Sequence, residues 1–181
     1  MLLISGCIVQ SINPFYNSAN QIPISDTVIG QWQILEKDQS TIQAIKPWIF
    51  TPDSKLQTFN EKHIMAEFET IYFKINQNIY MDSIAGDHEP QISEYWSYHV
   101  FPVHVLTKIE IKDNRLILTP LDYDWLMKNI EIGKIKLSFM KGYDKMTLFN
   151  ASPEEWEQFL KKYGDNNDAF PENNALYFKK A

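Results

Sequence analysis

Short apolar runs separated by tight-turn signals constrain this chain more than any other feature. Val28–Leu35, Ala44–Thr51, Lys55–Phe59, Ile64–Ile75, Ile79–Ile84, Val100–Lys112, Arg115–Thr119, Ile135–Met140 and Met146–Phe149 each read as a strand. Pro52-Asp53-Ser54 and Asn76-Gln77-Asn78 mark turns between them, and Asp113-Asn114 fits a two-residue type I′ hairpin. Short strands joined this closely predict an antiparallel barrel or sandwich.

Two helices interrupt the pattern. Asp122 is positioned to cap a short one running through Trp125, Leu126 and Ile130. Ser152, Pro153 and Glu155 form an N-cap, an N1 proline and a capping box. Trp156, Phe159, Leu160 and Tyr163 then recur on one face, so the helix spans about 152–163. Gly164 reads as its C′ residue. A polar, acidic tail follows, and Ala175-Leu176-Tyr177-Phe178 returns as a short strand.

With 181 residues, 44% hydrophobic and 14% aromatic, the chain has enough apolar material for one globular domain. A net charge of −6 argues against nucleic acid, whose phosphates call for a basic surface. One cysteine excludes an intrachain disulfide. Past residue 7 no apolar run approaches the roughly 18 residues of a membrane span.

The cysteine stands in a telling place. Ile4-Ser5-Gly6-Cys7 resembles the lipobox of bacterial lipoproteins, in which small residues before the cysteine admit a membrane-embedded peptidase. The resemblance implies a diacylglyceryl group on the Cys7 thiol, whose two chains anchor stably to a membrane. Residues 1–6 then read as the end of an export signal, 7–25 as a lipidated tether, and 26–181 as the folded domain. Asn13-Pro14, Asn17-Ser18 and Ile22-Pro23 punctuate the tether. The implied address is a bacterial cell envelope. In a diderm cell it is the periplasmic face of the outer membrane, because Ile8, not an aspartate, follows Cys7.

A second resemblance concerns the fold. Gly30-Gln31-Trp32 on the first strand, a strand meander, a late amphipathic helix and a short final strand resemble the lipocalin layout. The resemblance implies a mainly β chain, a single antiparallel lipocalin-like β-barrel of about eight strands with one or two short helices. Trp32 would plug the barrel base and Gly30 would permit close backbone approach. Phe68, Phe73 and Val103 would join Trp32 in lining or closing the interior. Tyr95, Trp96 and Tyr98 would stand at the rim, where amphipathic rings suit ligand or protein contact. The expected partner is a small apolar ligand or an envelope protein, the latter if large side chains fill the barrel.

Catalytic and metal chemistry find little support. Asp87-His88-Glu89 clusters donor atoms in a loop, but His99 and His104 lie five apart on one expected strand and so face opposite ways. No metal site or cofactor is expected, and His63 stands apart from the other histidines. There is no G-x-S-x-G nucleophile elbow. Glu67, Glu69, Asp82 and Glu110 are scattered, and Glu154-Glu155 suit a helix first turn. An envelope hydrolase would need two carboxyl groups, or a histidine and a carboxylate, facing each other across a cleft. The expectation is a non-enzymatic protein.

Overall fold

The computed structural model describes residues 8–36, 46–59, 65–86, 102–141 and 147–181. Eight strands close into an antiparallel barrel: β3 (Gly30–Leu35), β4 (Trp48–Phe50), β5 (Lys55–Phe59), β6 (Met65–Ile75), β7 (Asn78–Ala85), β8 (His104–Lys112), β9 (Arg115–Pro120) and β12 (Leu176–Lys180). The first seven pair in chain order. β12 then enters between β9 and β3 and completes the ring. Two short α-helices, α1 (Tyr123–Glu131) and α2 (Pro153–Tyr163), lie in the connection from β9 to β12. Between them come β10 (Phe139–Lys141) and β11 (Thr147–Phe149), paired antiparallel.

Tight turns at Pro52-Asp53, Asn76-Gln77 and Asp113-Asn114 close one end of the barrel. Asn76, Asp113 and Asn114 adopt positive φ, which Asn and Asp tolerate better than other side-chain-bearing residues. At the opposite end the chain leaves the barrel after Leu35, Phe59 and Ala85 and returns at Trp48, Met65 and His104.

The stretch read from sequence as a tether is part of the fold from Ile8 onward. β1 (Gln10–Ser11) pairs with β8 at Val105 and His104, and also with β11. β2 (Gln21–Ile22) pairs with β6 at Phe73 and Tyr72. Register explains both contacts. β5 leaves β6 after Glu69, and β9 meets β8 only from Thr107 onward. β7 occupies the other edge of each strand. β1 and β2 therefore cover two lengths of strand edge that would otherwise present unpaired backbone groups. Val9, Ser11 and Phe15 are fully buried by this arrangement.

Two cores result. The barrel holds Val28, Trp32, Ile34, Phe50, Leu56, Tyr72, Met81, Ile109, Leu116, Leu118 and Phe178. A second core fills the space between the outer face of β6–β8, the N-terminal stretch and both helices; Phe15, Phe73, Tyr80, Leu106, Leu126 and Trp156 meet there. Phe73 stacks on its cross-strand partner Tyr80 at 5.4 Å, and Phe15 packs on Trp156 at 4.5 Å.

The second core corrects one expectation directly. Phe73 does not line the barrel. Tyr72 faces the interior, so the next residue along the strand must face outward. The expected strand over 135–140 is shortened as well. Ile135 and Leu137 are buried between exposed Lys134 and Lys136, yet only Phe139–Lys141 gains a strand partner. Residues 135 and 137 spend their apolar side chains on α2 rather than on a neighbouring strand.

Candidate functional site

The barrel interior is the first place to look for a ligand. Trp32, Ile34, Phe50, Leu116, Leu118 and Phe178 are each no more than 2% exposed. Side chains around a ligand-sized cavity keep accessible area on the cavity wall, and these keep almost none. The part of the barrel around these residues is therefore packed with side chains, whereas inward-facing Phe68, Ser83, Val105 and Thr107 towards the other end keep part of their surface accessible. Phe68 points inward and packs partly buried against this core. Val103 is half-buried just before β8, outside either cluster.

Trp32 lies towards the tight-turn end of the barrel. Its neighbours in register are Trp48 and Lys180, and Gly30 two residues earlier pairs with Phe50 beside the 52–53 turn. The indole N–H donates to the Val28 carbonyl at 2.7 Å, and the Lys180 ammonium stands 5.2 Å from the ring centre. Gly30 has φ +130°, and a Cβ there would come within 3.2 Å of Lys180 Cε. The backbone conformation demands glycine, while the Lys180 side chain could yield to a Cβ.

The rim residues Tyr95, Trp96 and Tyr98, and the lipidation candidate Cys7, lie outside the described residues, as do His63, His88 and His99.

A polar constellation that sequence reasoning left scattered appears on the outer face of the barrel. Asp82 on β7 is 2% exposed. One of its oxygens lies 2.9 Å from His104 Nδ1, and the other accepts the Phe15 backbone N–H at 2.9 Å. Across β8, Ser11 lies opposite His104, and its hydroxyl accepts the Trp156 indole N–H at 3.3 Å. Tyr16 packs on Phe73 beside this group, and burial together with the Asp82 charge pushes its hydroxyl above the usual tyrosine range. Serine, histidine and aspartate thus stand in a row across β1, β8 and β7.

The row has the residue types of a hydrolytic triad without its access. Ser11 is fully buried, its recorded partner is Trp156, and Asp82 is covered by the Phe15 backbone. A substrate carbonyl has no route to the serine. The group's chemistry is to satisfy polar atoms where the N-terminal stretch crosses the barrel wall. Local sequence holds a partial signal for it. His104 and Asp82 both sit on strands, but their meeting depends on the β7–β8 register across a long connection.

Elsewhere, an open groove of about 360 Å³ runs between α2 and the extended segment 134–137, edged by Lys134, Lys136, Lys162, Glu154 and Glu155. Among the described residues no three His, Cys, Asp or Glu side chains converge as metal ligands. No helix among them is long and apolar enough to cross a membrane. Comparison of the chain with protein-family models, characterised proteins and solved structures finds no match.

Proposed function

We propose that this chain is a lipid-anchored protein of the bacterial envelope that acts as a non-catalytic interaction module. In this reading the barrel is a filled scaffold that presents its outer surface to a partner. The observation that carries the interaction role is the packing around Trp32, Phe50 and Phe178, which leaves little room for a small apolar ligand in that part of the barrel. The anchor rests on Ile4-Ser5-Gly6-Cys7. The buried position of Ser11 and Asp82 speaks against a hydrolase.

Expression in a bacterium with an export signal joined ahead of residue 1 tests the anchor. The wild type gains the mass of a diacylglyceryl group and sediments with membranes, whereas Cys7→Ser stays unmodified and soluble. Equal mass increments and equal partitioning of the two forms would overturn it.

A further inference from the structure

Ile132 is the most exposed large hydrophobic among the described residues, at 68%, and Met140 follows at 47%. A single run of chain joins them. Along Lys134–Met140 buried Ile135 and Leu137 alternate with exposed Lys134, Lys136, Ser138 and Met140, so the exposed side chains share one face. Ile132, exposed in the turn after α1, lies two residues before this strip. At extended spacing the part from Lys134 to Met140 is roughly 20 Å long.

The charge of this strip opposes that of the chain. Residues 126–141 hold Lys128, Lys134, Lys136 and Lys141 against one acidic residue, Glu131, in a protein of net charge −6. None of these four lysines forms an ion pair among the described residues. Two acids, Glu154 and Glu155, edge the groove beside Lys134 and Lys136, and both already accept hydrogen bonds. Glu155 accepts from Ser138 and from the Ser152 backbone, and Glu154 accepts from Asn17 at 3.5 Å.

We infer that this strip and Ile132, with the flanking lysines, dock on an anionic bilayer surface. Aliphatic side chains between long cationic ones suit the interface: the aliphatics enter the headgroup boundary while the ammonium groups meet lipid phosphates. Position supports the same occupant. Ile8 bridges to Asp122, the N-cap of the helix whose far end carries Ile132. A nine-residue helix places those ends roughly 15 Å apart. An anchor on Cys7 would thus hold the strip near the membrane, and to that extent the inference rests on the anchor proposed above. Two attachments bind more stably than one.

The test uses the full unacylated Cys7→Ser chain, so that the strip is read without the anchor. Vesicles of phosphatidylcholine with phosphatidylglycerol are compared with phosphatidylcholine alone by co-sedimentation, at low and high salt. The Cys7→Ser chain binds the anionic vesicles and is released by salt. Adding Lys134→Glu and Lys136→Glu lowers partitioning at least about 25-fold, because each lysine near such a surface contributes about fivefold. Ile132→Ser weakens binding without altering its salt dependence. All these side chains are exposed, and unchanged thermal unfolding shows that the variants fold. Absence of lipid-dependent binding overturns the inference, as does binding indifferent to the double charge reversal. Binding to poly-glutamate but not to vesicles would also overturn it and point to an acidic protein partner. Failure of the anchor shows separately, as wild-type protein lacking the diacylglyceryl mass.

Discussion

The Phe15 backbone N–H donates to Asp82 Oδ2 at 2.9 Å, joining two residues 67 positions apart at a fully buried site. The other carboxylate oxygen holds His104, so one side chain fastens the N-terminal stretch to both β7 and β8. Asp82→Ala removes a buried charge with two polar partners and leaves the Phe15 N–H unsatisfied. It is expected to cost about 3 kcal/mol. His104→Ala leaves the Phe15 bond intact but strips one buried Asp82 oxygen of its partner, and is expected to cost less, about 2 kcal/mol. Urea unfolding of the two variants and their double mutant checks the order. Equal, near-zero effects would show that the group contributes nothing to the attachment.

A free tether and a seated N-terminal stretch predict different results for one substitution. Phe15 is fully buried against Trp156, and truncation to alanine empties that space. Phe15→Ala should lower stability by about 3 to 4 kcal/mol in the same assay. Removal of residues 8–24 uncovers the strand edges at Tyr72-Phe73 and at His104-Val105, and the remainder should lose cooperative unfolding. Unchanged melting after either alteration would restore the tether.

The barrel base offers a graded set of substitutions. Trp32→Ala is expected to cost about 3 to 5 kcal/mol through loss of a filled core position. Gly30→Ala combines strained φ with crowding against Lys180 and should cost above about 1 kcal/mol. Lys180→Ala removes only a cation–ring contact and should cost less than about 1 kcal/mol. Thermal unfolding ranks the three, and a Lys180 effect as large as that of Trp32 would refute the ordering.

Alkaline pH gives an independent probe of the packed interior. Burial pushes the Tyr72 hydroxyl up to about 12, with a Thr70 hydrogen bond acting weakly the other way. Burial, and then the Asp165 charge, raise Tyr80 as well. A folded-state pKa above the unfolded value of 10 means that the folded protein holds the proton more tightly. The associated stability is fully present below pH 10 and is lost as pH rises towards 12, to the extent of roughly 2 kcal/mol for Tyr72. Urea midpoints should fall across that window, and Tyr72→Phe should flatten the fall. Ultraviolet titration showing every tyrosine ionising near 10 in the folded protein would contradict the packing.

Local patterns carried much of this fold. The strand Lys55–Phe59 lies where the Pro52-Asp53-Ser54 turn signal places it, and the capping box at Ser152 and Glu155 forms as the spacing requires. β1 and β2 left no comparable trace. Each has two residues, and the apolar residues of the stretch, such as Val9, Phe15 and Ile22, fall at no regular spacing among Asn, Ser, Gln and Pro, so no period exists to detect. Phe73 was misassigned because β6 is buried on both faces, which blurs alternation. Gly164 ends α2 for a reason other than the expected left-handed cap. Its φ is −62°, and a Cβ would collide with the Tyr80 hydroxyl and the Leu160 carbonyl. Such close approaches depend on tertiary packing that spacing does not encode. The same holds for Asp82 and His104.

The claim that the barrel is a filled scaffold is tested most directly by native mass spectrometry of the full chain incubated with palmitate. Given the packed side chains of Trp32, Ile34, Phe50 and Phe178, the predicted result is the bare protein mass, with no stoichiometric adduct at palmitate excess. A one-to-one adduct weakened by a bulkier residue at the inward-facing Phe68, as in Phe68→Trp, would contradict the account and make the barrel a ligand container.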